Sequence, residues 1–164
     1  MLKDHHELKG NPPANVHSLE ELTALDCSVR EIVIDNNVLT DPSFTETDMS
    51  RFVNLSGFEV GNYCFCNVDK VKLIGMKKLE TVIIGEKCFS VDSFRENMGK
   101  HFCLKNCERL RELKIGKHSF PDYDVCEIEN NASLEVIEIG ELNEDSGNFS
   151  FGSLTLRSEY DGIE

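Results

Sequence analysis

The chain has 164 residues, 40% hydrophobic and 29% charged, which suits one folded domain with a modest core and excludes a disordered polymer. Asp and Glu outnumber Lys and Arg by 30 to 17, and the resulting net charge of −13 argues against a nucleic-acid backbone or an anionic membrane surface as partner. No run reaches the roughly 18 apolar residues of a membrane helix. The polar N-terminus lacks an apolar signal core, so the expected location is cytoplasmic, with the seven cysteines held as free thiols.

In chain order, residues 1–15 are charged and carry Gly10, Pro12 and Pro13, and read as a flexible lead. The adjacent His5 and His6 have no third ligand beside them and read as solvated rather than as a metal site. Residues 16–28 read as a cap. Within them, Val16–Asp26 is the one expected helix: Ser18 and Glu21 have capping-box spacing, and Leu19 and Leu22 share a face.

From Val29 one short phrase recurs. Ile34, Val60, Ile84, Ile115 and Ile139 occupy one column, with Ile32, Phe58, Val82, Leu113 and Ile137 two residues earlier. Val29, Leu55, Leu79, Leu110 and Leu134 stand five residues before the first column. Asp35, Gly61, Gly85, Gly116 and Gly140 follow it, and Leu39, Phe65, Phe89 and Phe120 come four residues after those. The spacings are 26, 24, 31 and 24 residues, and the long interval holds a seven-residue insertion within Ser90–His101.

A second register places Val71, Phe102 and Cys126 two residues before Leu73, Leu104 and Ile128. Apolar residues two apart, flanked by polar ones, mark strands with one buried face. Each repeat therefore contributes two short strands, and stacked repeats bury the apolar columns that no single repeat can cover. Gly after the strand is expected to turn the chain at positive φ, with Asp35 as a tolerated substitute. The pattern weakens after Gly140 and returns in a strand with Leu154 and Leu156 as its inward pair, leaving an uncapped edge. Residues 158–164 read as a polar tail.

The phrase LxxLxIGxxxF, carried by Leu79, Val82, Ile84, Gly85 and Phe89 and again by Leu110, Leu113, Ile115, Gly116 and Phe120, resembles a leucine-rich repeat, most closely the BspA-like subtype. Asn106 and Cys107 match that family's Asn/Cys turn, Asn130 and Asn131 match it less closely, and Gly75 and Met76 depart from it. The resemblance spans roughly residues 29 to 157. It implies a mainly β leucine-rich-repeat solenoid over residues 16–157, with short parallel strands, two to a coil, about five coils and a short N-terminal helical cap. Members of the family are mostly binding modules, many at the surfaces of bacteria and unicellular eukaryotes.

No catalytic, cofactor or metal set is expected. Cys64 and Cys88 share a column with Ser119 and read as small packing residues; Cys107 lies in the Asn/Cys turn, and Cys103 is expected to point away from the core. His101 near Cys103, and His118 in a turn, are Cys–His candidates without a visible third group to orient the base. The acids Glu141, Glu144 and Asp145 lack the spacing of a calcium loop.

The stronger candidate is the outward face of the first sheet: Glu31, Val33, Glu59, Thr81, Ile83, Glu112, Lys114, Val136 and Glu138. β-branched residues among carboxylates suit a protein partner with basic and apolar groups. The expected function is therefore non-enzymatic protein–protein binding, with no nucleic acid and no membrane insertion. Two other readings compete: a structural spacer or fragment of a longer, adhesin-like repeat protein, and a Cys/His-dependent hydrolase or metal-binding protein.

Overall fold

The computed structural model describes residues 11–90, 99–141 and 145–158. His5 and His6, most of the insertion after Ser90, Glu144 and the tail beyond Ser158 lie outside the described residues. Within them, the apolar–polar alternation becomes short strands and almost no helix. The elements are β1 (Ala14–Val16), α1 (Leu19–Ala24), β2 (Glu31–Ile34), β3 (Glu46–Asp48), β4 (Gly57–Val60), β5 (Lys70–Ile74), β6 (Thr81–Ile84), β7 (His101–Lys105), β8 (Glu112–Ile115), β9 (Val125–Glu129), β10 (Val136–Ile139) and β11 (Ser153–Arg157). From β2 onward the chain passes alternately between two parallel sheets, one ordered β1-β2-β4-β6-β8-β10 and the other β3-β5-β7-β9-β11.

The register reproduces the sequence columns. Ile32, Phe58, Val82, Leu113 and Ile137 align across the first sheet, as do Ile34, Val60, Ile84, Ile115 and Ile139. In the second, Val71, Phe102, Cys126 and Leu154 align, and Leu73, Leu104, Ile128 and Leu156 beside them. The inward side chains of β2, β4, β5, β6, β7, β8 and β9 join one buried cluster, whereas Ile137 on β10 and Leu154 and Leu156 on β11, at the C-terminal end, are exposed. Parallel sheets stacked in register can fill such an interior because each column meets its own kind above and below.

Aromatic rings line one end of that interior. Phe65 and Phe89 stack with centroids 4.8 Å apart, Phe89 and Phe120 at 4.4 Å, and Phe120 and Phe149 at 5.2 Å, all within 8° of parallel. Phe65, Phe89, Phe120 and Phe149, with Leu39, all adopt φ between 48° and 60°. A left-handed conformation costs a non-glycine residue about 1–2 kcal/mol. Burying a Phe contributes about 1.5–3 kcal/mol, and each ring pair about 0.5–1.5 kcal/mol more, so packing outweighs the strain.

This finding corrects the expected role of the turn glycines. Gly61, Gly85 and Gly116 are absent from the positive-φ residues, as is Asp35; the positive φ falls on Asn37, Tyr63, Lys87 and His118, two residues later, and on the ring column. Glycine is needed because successive turns touch. A Cβ at Gly85 would lie 2.8 Å from the carbonyl carbon of Gly61, and one at Gly116 only 2.6 Å from that of Gly85. Of this column only Gly140 has the expected conformation, at φ 67°.

The same turns explain the buried cysteines. Cys64 Sγ donates to the Asp35 carbonyl at 2.9 Å, Cys88 Sγ to that of Gly61 at 2.9 Å, and Ser119 Oγ to that of Gly85 at 2.7 Å. Asn148 Nδ2 continues the series to Gly116 at 2.8 Å. Each small donor satisfies a carbonyl of the preceding turn, which buried backbone requires. At the opposite turns Cys107 Sγ reaches the Leu73 carbonyl at 3.5 Å and Asn131 Nδ2 that of Leu104 at 3.0 Å. Met76 has no donor to offer there.

At the N-terminal end α1 is shorter than expected, running from Leu19 to Ala24 with Ser18 Oγ accepting from the Glu21 amide at 3.2 Å. Glu21 reaches back to the His17 amide at 2.7 Å. Ala14 and Asn15, assigned to the flexible lead, instead begin β1 and pair with Ile32 and Val33. At the other end Leu154 and Leu156 hold the inward register but are 57% and 64% exposed. No helix among the described residues is long and apolar enough to cross a membrane.

Candidate functional site

Strand pleating gives each sheet an outer face, and cross-strand register decides which side chains meet there. On the first sheet one row runs Val33, Glu59, Ile83, Lys114, Glu138 and the next Glu31, Gly57, Thr81, Glu112, Val136. All nine residues expected on this face are on it. Val33, Thr81, Ile83, Glu112, Lys114 and Val136 are half-buried; Glu31, Glu59 and Glu138 are exposed. Lys114 is the face's cation, 2.7 Å from Glu112 and 4.0 Å from Glu138. Glu31 and Glu59 have no ion-pair partner among the described residues. Gly57 leaves a notch between Glu31 and Thr81: a Cβ there would meet them only at 3.5 and 3.6 Å, so no steric need explains the missing side chain.

The second sheet's outer face is built differently. Its charges are joined across strands: Lys72 to Glu46, Lys105 to Glu127 at 2.8 Å and to Glu129 at 3.2 Å, and His101 Nε2 to Glu127 at 2.7 Å. β7 projects His101, Cys103 and Lys105 together, and the register sets Glu127 opposite Cys103. One ligand atom from each of His101, Cys103 and Glu127 lies within 4.8 Å of the others. The Lys105 ammonium, and after it His101, holds the Glu127 carboxyl below its ordinary value, whereas burial pushes the Cys103 thiol up. The three residues edge an open pocket of about 280 Å³ with Lys70, Lys72 and Ile74.

β7 is held in place from the interior. Lys100, 1% exposed, sends its ammonium to Asp122 and lies 3.6 Å from Asp69. Asp124 Oδ2 accepts from the amides of Gly99 and Lys100 at 2.5 and 2.9 Å, closing the end of the insertion. A buried ammonium persists only where carboxylates compensate it, and this arrangement sets the strand's start at His101.

Two expectations change here. Cys103 does face away from the inter-sheet core, yet it is only 7% exposed, because Lys72, Lys105 and His101 surround it. His101 and Cys103 also have a third group, Glu127, which the linear sequence hides 24 residues further on. As a nucleophile the set is poorly disposed: burial pushes the Cys103 thiol up, and the carboxylate is already engaged by Lys105. His118 lies elsewhere, edging a surface pocket with Tyr63, Cys66 and Lys87. Cys64, Cys88, Cys107 and Cys126 are fully buried, and burial pushes the Cys126 thiol to about 12 and that of Cys107 to about 11. None of the seven cysteines is joined in a disulfide.

In comparisons with known proteins, no family model matches the chain, and no curated protein or solved structure matches it.

Proposed function

We propose that the two sheets are the sides of a leucine-rich-repeat solenoid of the BspA-like kind, about five coils long, and that the chain is a non-enzymatic module binding another protein across the first sheet's outer face. The solenoid reading draws support from five successive passages between the sheets in constant register and from the stacked Phe column. The binding reading rests on one observation. Glu59 stands between the half-buried Val33 and Ile83 in one cross-strand row, Glu31 lies two residues before Val33 on β2, and neither acid has an ion-pair partner among the described residues. Carboxylates left unpaired in the free chain are available to a partner's Lys or Arg, and the β-branched side chains beside them offer apolar contact. The net charge of −13 attracts a basic surface at longer range.

The test is affinity purification from the source with the intact chain and with Ile83→Arg/Val136→Arg. Both substituted side chains already reach solvent, so circular dichroism and melting should match the parent. A protein retained by the parent and lost with the double variant supports the face; equal retention by both overturns it.

The spacer reading has an observation of its own. Ile137, Leu154 and Leu156 stand in inward columns yet are 36%, 57% and 64% exposed, as an end-to-end stack of copies would use them. Sedimentation that stays monomeric across a wide concentration range contradicts that reading.

A further inference from the structure

We propose that His101, Cys103 and Glu127 bind a single divalent transition-metal ion, zinc by preference, on the second sheet's outer face. The site lies on the opposite sheet from the proposed binding face, so it stands or falls independently of that reading.

Strand geometry makes the set. His101 and Cys103 are two residues apart on β7 and project together, and Glu127 comes to them through the β7–β9 register. A tetrahedral zinc ion with bonds of about 2.0–2.3 Å holds its donor atoms roughly 3.3–3.6 Å apart. The three ligand atoms here already lie within 4.8 Å of one another. Closing the difference needs side-chain adjustment only, since both strands are fixed in the sheet.

The donor chemistry selects the metal. One imidazole nitrogen, one sulfur and one carboxylate oxygen suit zinc and its neighbours cobalt and nickel, whereas calcium and magnesium require oxygen donors. Three protein ligands also leave a fourth position for water or a small anion. That position opens toward the 280 Å³ pocket edged by Lys70 and Lys72.

The nearby lysines would repel an ion if they stood alone, but the two that lie beside Cys103 are engaged, and only Lys70 at the pocket's edge has no ion-pair partner among the described residues. Lys72 is paired with Glu46, and Lys105 is shared between Glu127 and Glu129. Both His101 and Lys105 contact Oε2 of Glu127, so Lys105 can orient the carboxylate while the other oxygen takes the metal. A hydrogen-bonded second partner of this kind is what a ligating carboxylate ordinarily has. On binding, the Cys103 S–H bond breaks, its proton passes to solvent and the sulfur bonds the ion; no electrons are transferred.

The experiment uses the full chain, stripped with chelator and titrated with Zn²⁺ or Co²⁺ alone. Native mass spectrometry should show one ion per chain, and Co²⁺ should produce a thiolate-to-metal charge-transfer band, which the His5–His6 pair cannot generate. Cys103→Ser should abolish the band with an unchanged circular dichroism spectrum. His101→Gln and Glu127→Gln should each weaken binding more than about tenfold, and Cys66→Ser should leave it intact. In the unsubstituted chain, Zn²⁺ should slow alkylation of Cys103 by iodoacetamide. The proposal is overturned if no stoichiometric ion binds, if the band survives in Cys103→Ser, or if Zn²⁺ leaves the alkylation of Cys103 unchanged.

Discussion

The two outer faces rest on the same interior but dispose of charge in opposite ways. The first carries four carboxylates, Glu31, Glu59, Glu112 and Glu138, against the single cation Lys114. The second sets Glu46, Asp48, Glu127 and Glu129 against Lys70, Lys72, Lys105 and Arg157, with His101 among them, and ties several into cross-strand pairs. On the second face Lys72, Lys105 and His101 each meet a carboxylate of a neighbouring strand. On the first, Glu31 and Glu59 meet no cation among the described residues, which is the feature the proposed binding would use. The interior is indifferent to the distinction, because the residues pointing outward contribute nothing to its columns.

The largest effect should come from breaking what the faces share. Phe89 stacks on Phe65 and Phe120 and is 1% exposed. Phe89→Ala should cost about 3–5 kcal/mol in urea unfolding, a large share of a small domain's stability. Both sheets should melt together. A variant that unfolds one sheet while the other persists would break the premise of a common interior.

Next in size is Gly116→Ala, whose Cβ would press to 2.6 Å from the Gly85 backbone. Backbone cannot yield as a flexible side chain can, so a loss of about 1–3 kcal/mol is expected in the same measurement. Gly57→Ala, on the first face and meeting only ordinary contacts at 3.5 Å, should differ from it by having little effect. Equal losses would mean that the turns do not stack as closely as described.

The smallest effects distinguish the faces directly. Lys105→Met removes two partly buried ion pairs from the second face and should cost up to about 1 kcal/mol, less in high salt. Glu59→Gln on the first face breaks no ion pair and should stay within about 0.5 kcal/mol of the parent. Thermal melts at low and high salt compare the two. A larger loss for Glu59→Gln would sink the contrast in charge pairing.

The repeat was legible in the sequence wherever apolar residues alternate, as in Phe58 and Val60 or Phe102 and Leu104. It was illegible where a strand buries a single side chain. β1 contributes only Val16 to the interior and β3 only Thr47, so neither shows a period. The turn glycines were visible, but their reason was not. Contact between successive turns is a tertiary fact, and the positive φ fell on aromatic and polar residues that sequence rules do not select.

The first face was readable residue by residue, since outward positions follow from inward ones. The second face's cluster was half visible: His101 and Cys103 sit two apart, but Glu127 joins them only through register across the next repeat. Cys103 shows the limit of alternation most clearly, because an outward residue became buried once long lysine side chains closed around it.

The proposal that partner recognition belongs to the first face is tested most directly by photo-crosslinking in the native source. A photoreactive amino acid is placed at Ile83 on the first face or at Ile74 on the second, positions that both reach solvent. The account predicts a discrete protein adduct from position 83 and none from position 74. An adduct from position 74, or from neither, would contradict it.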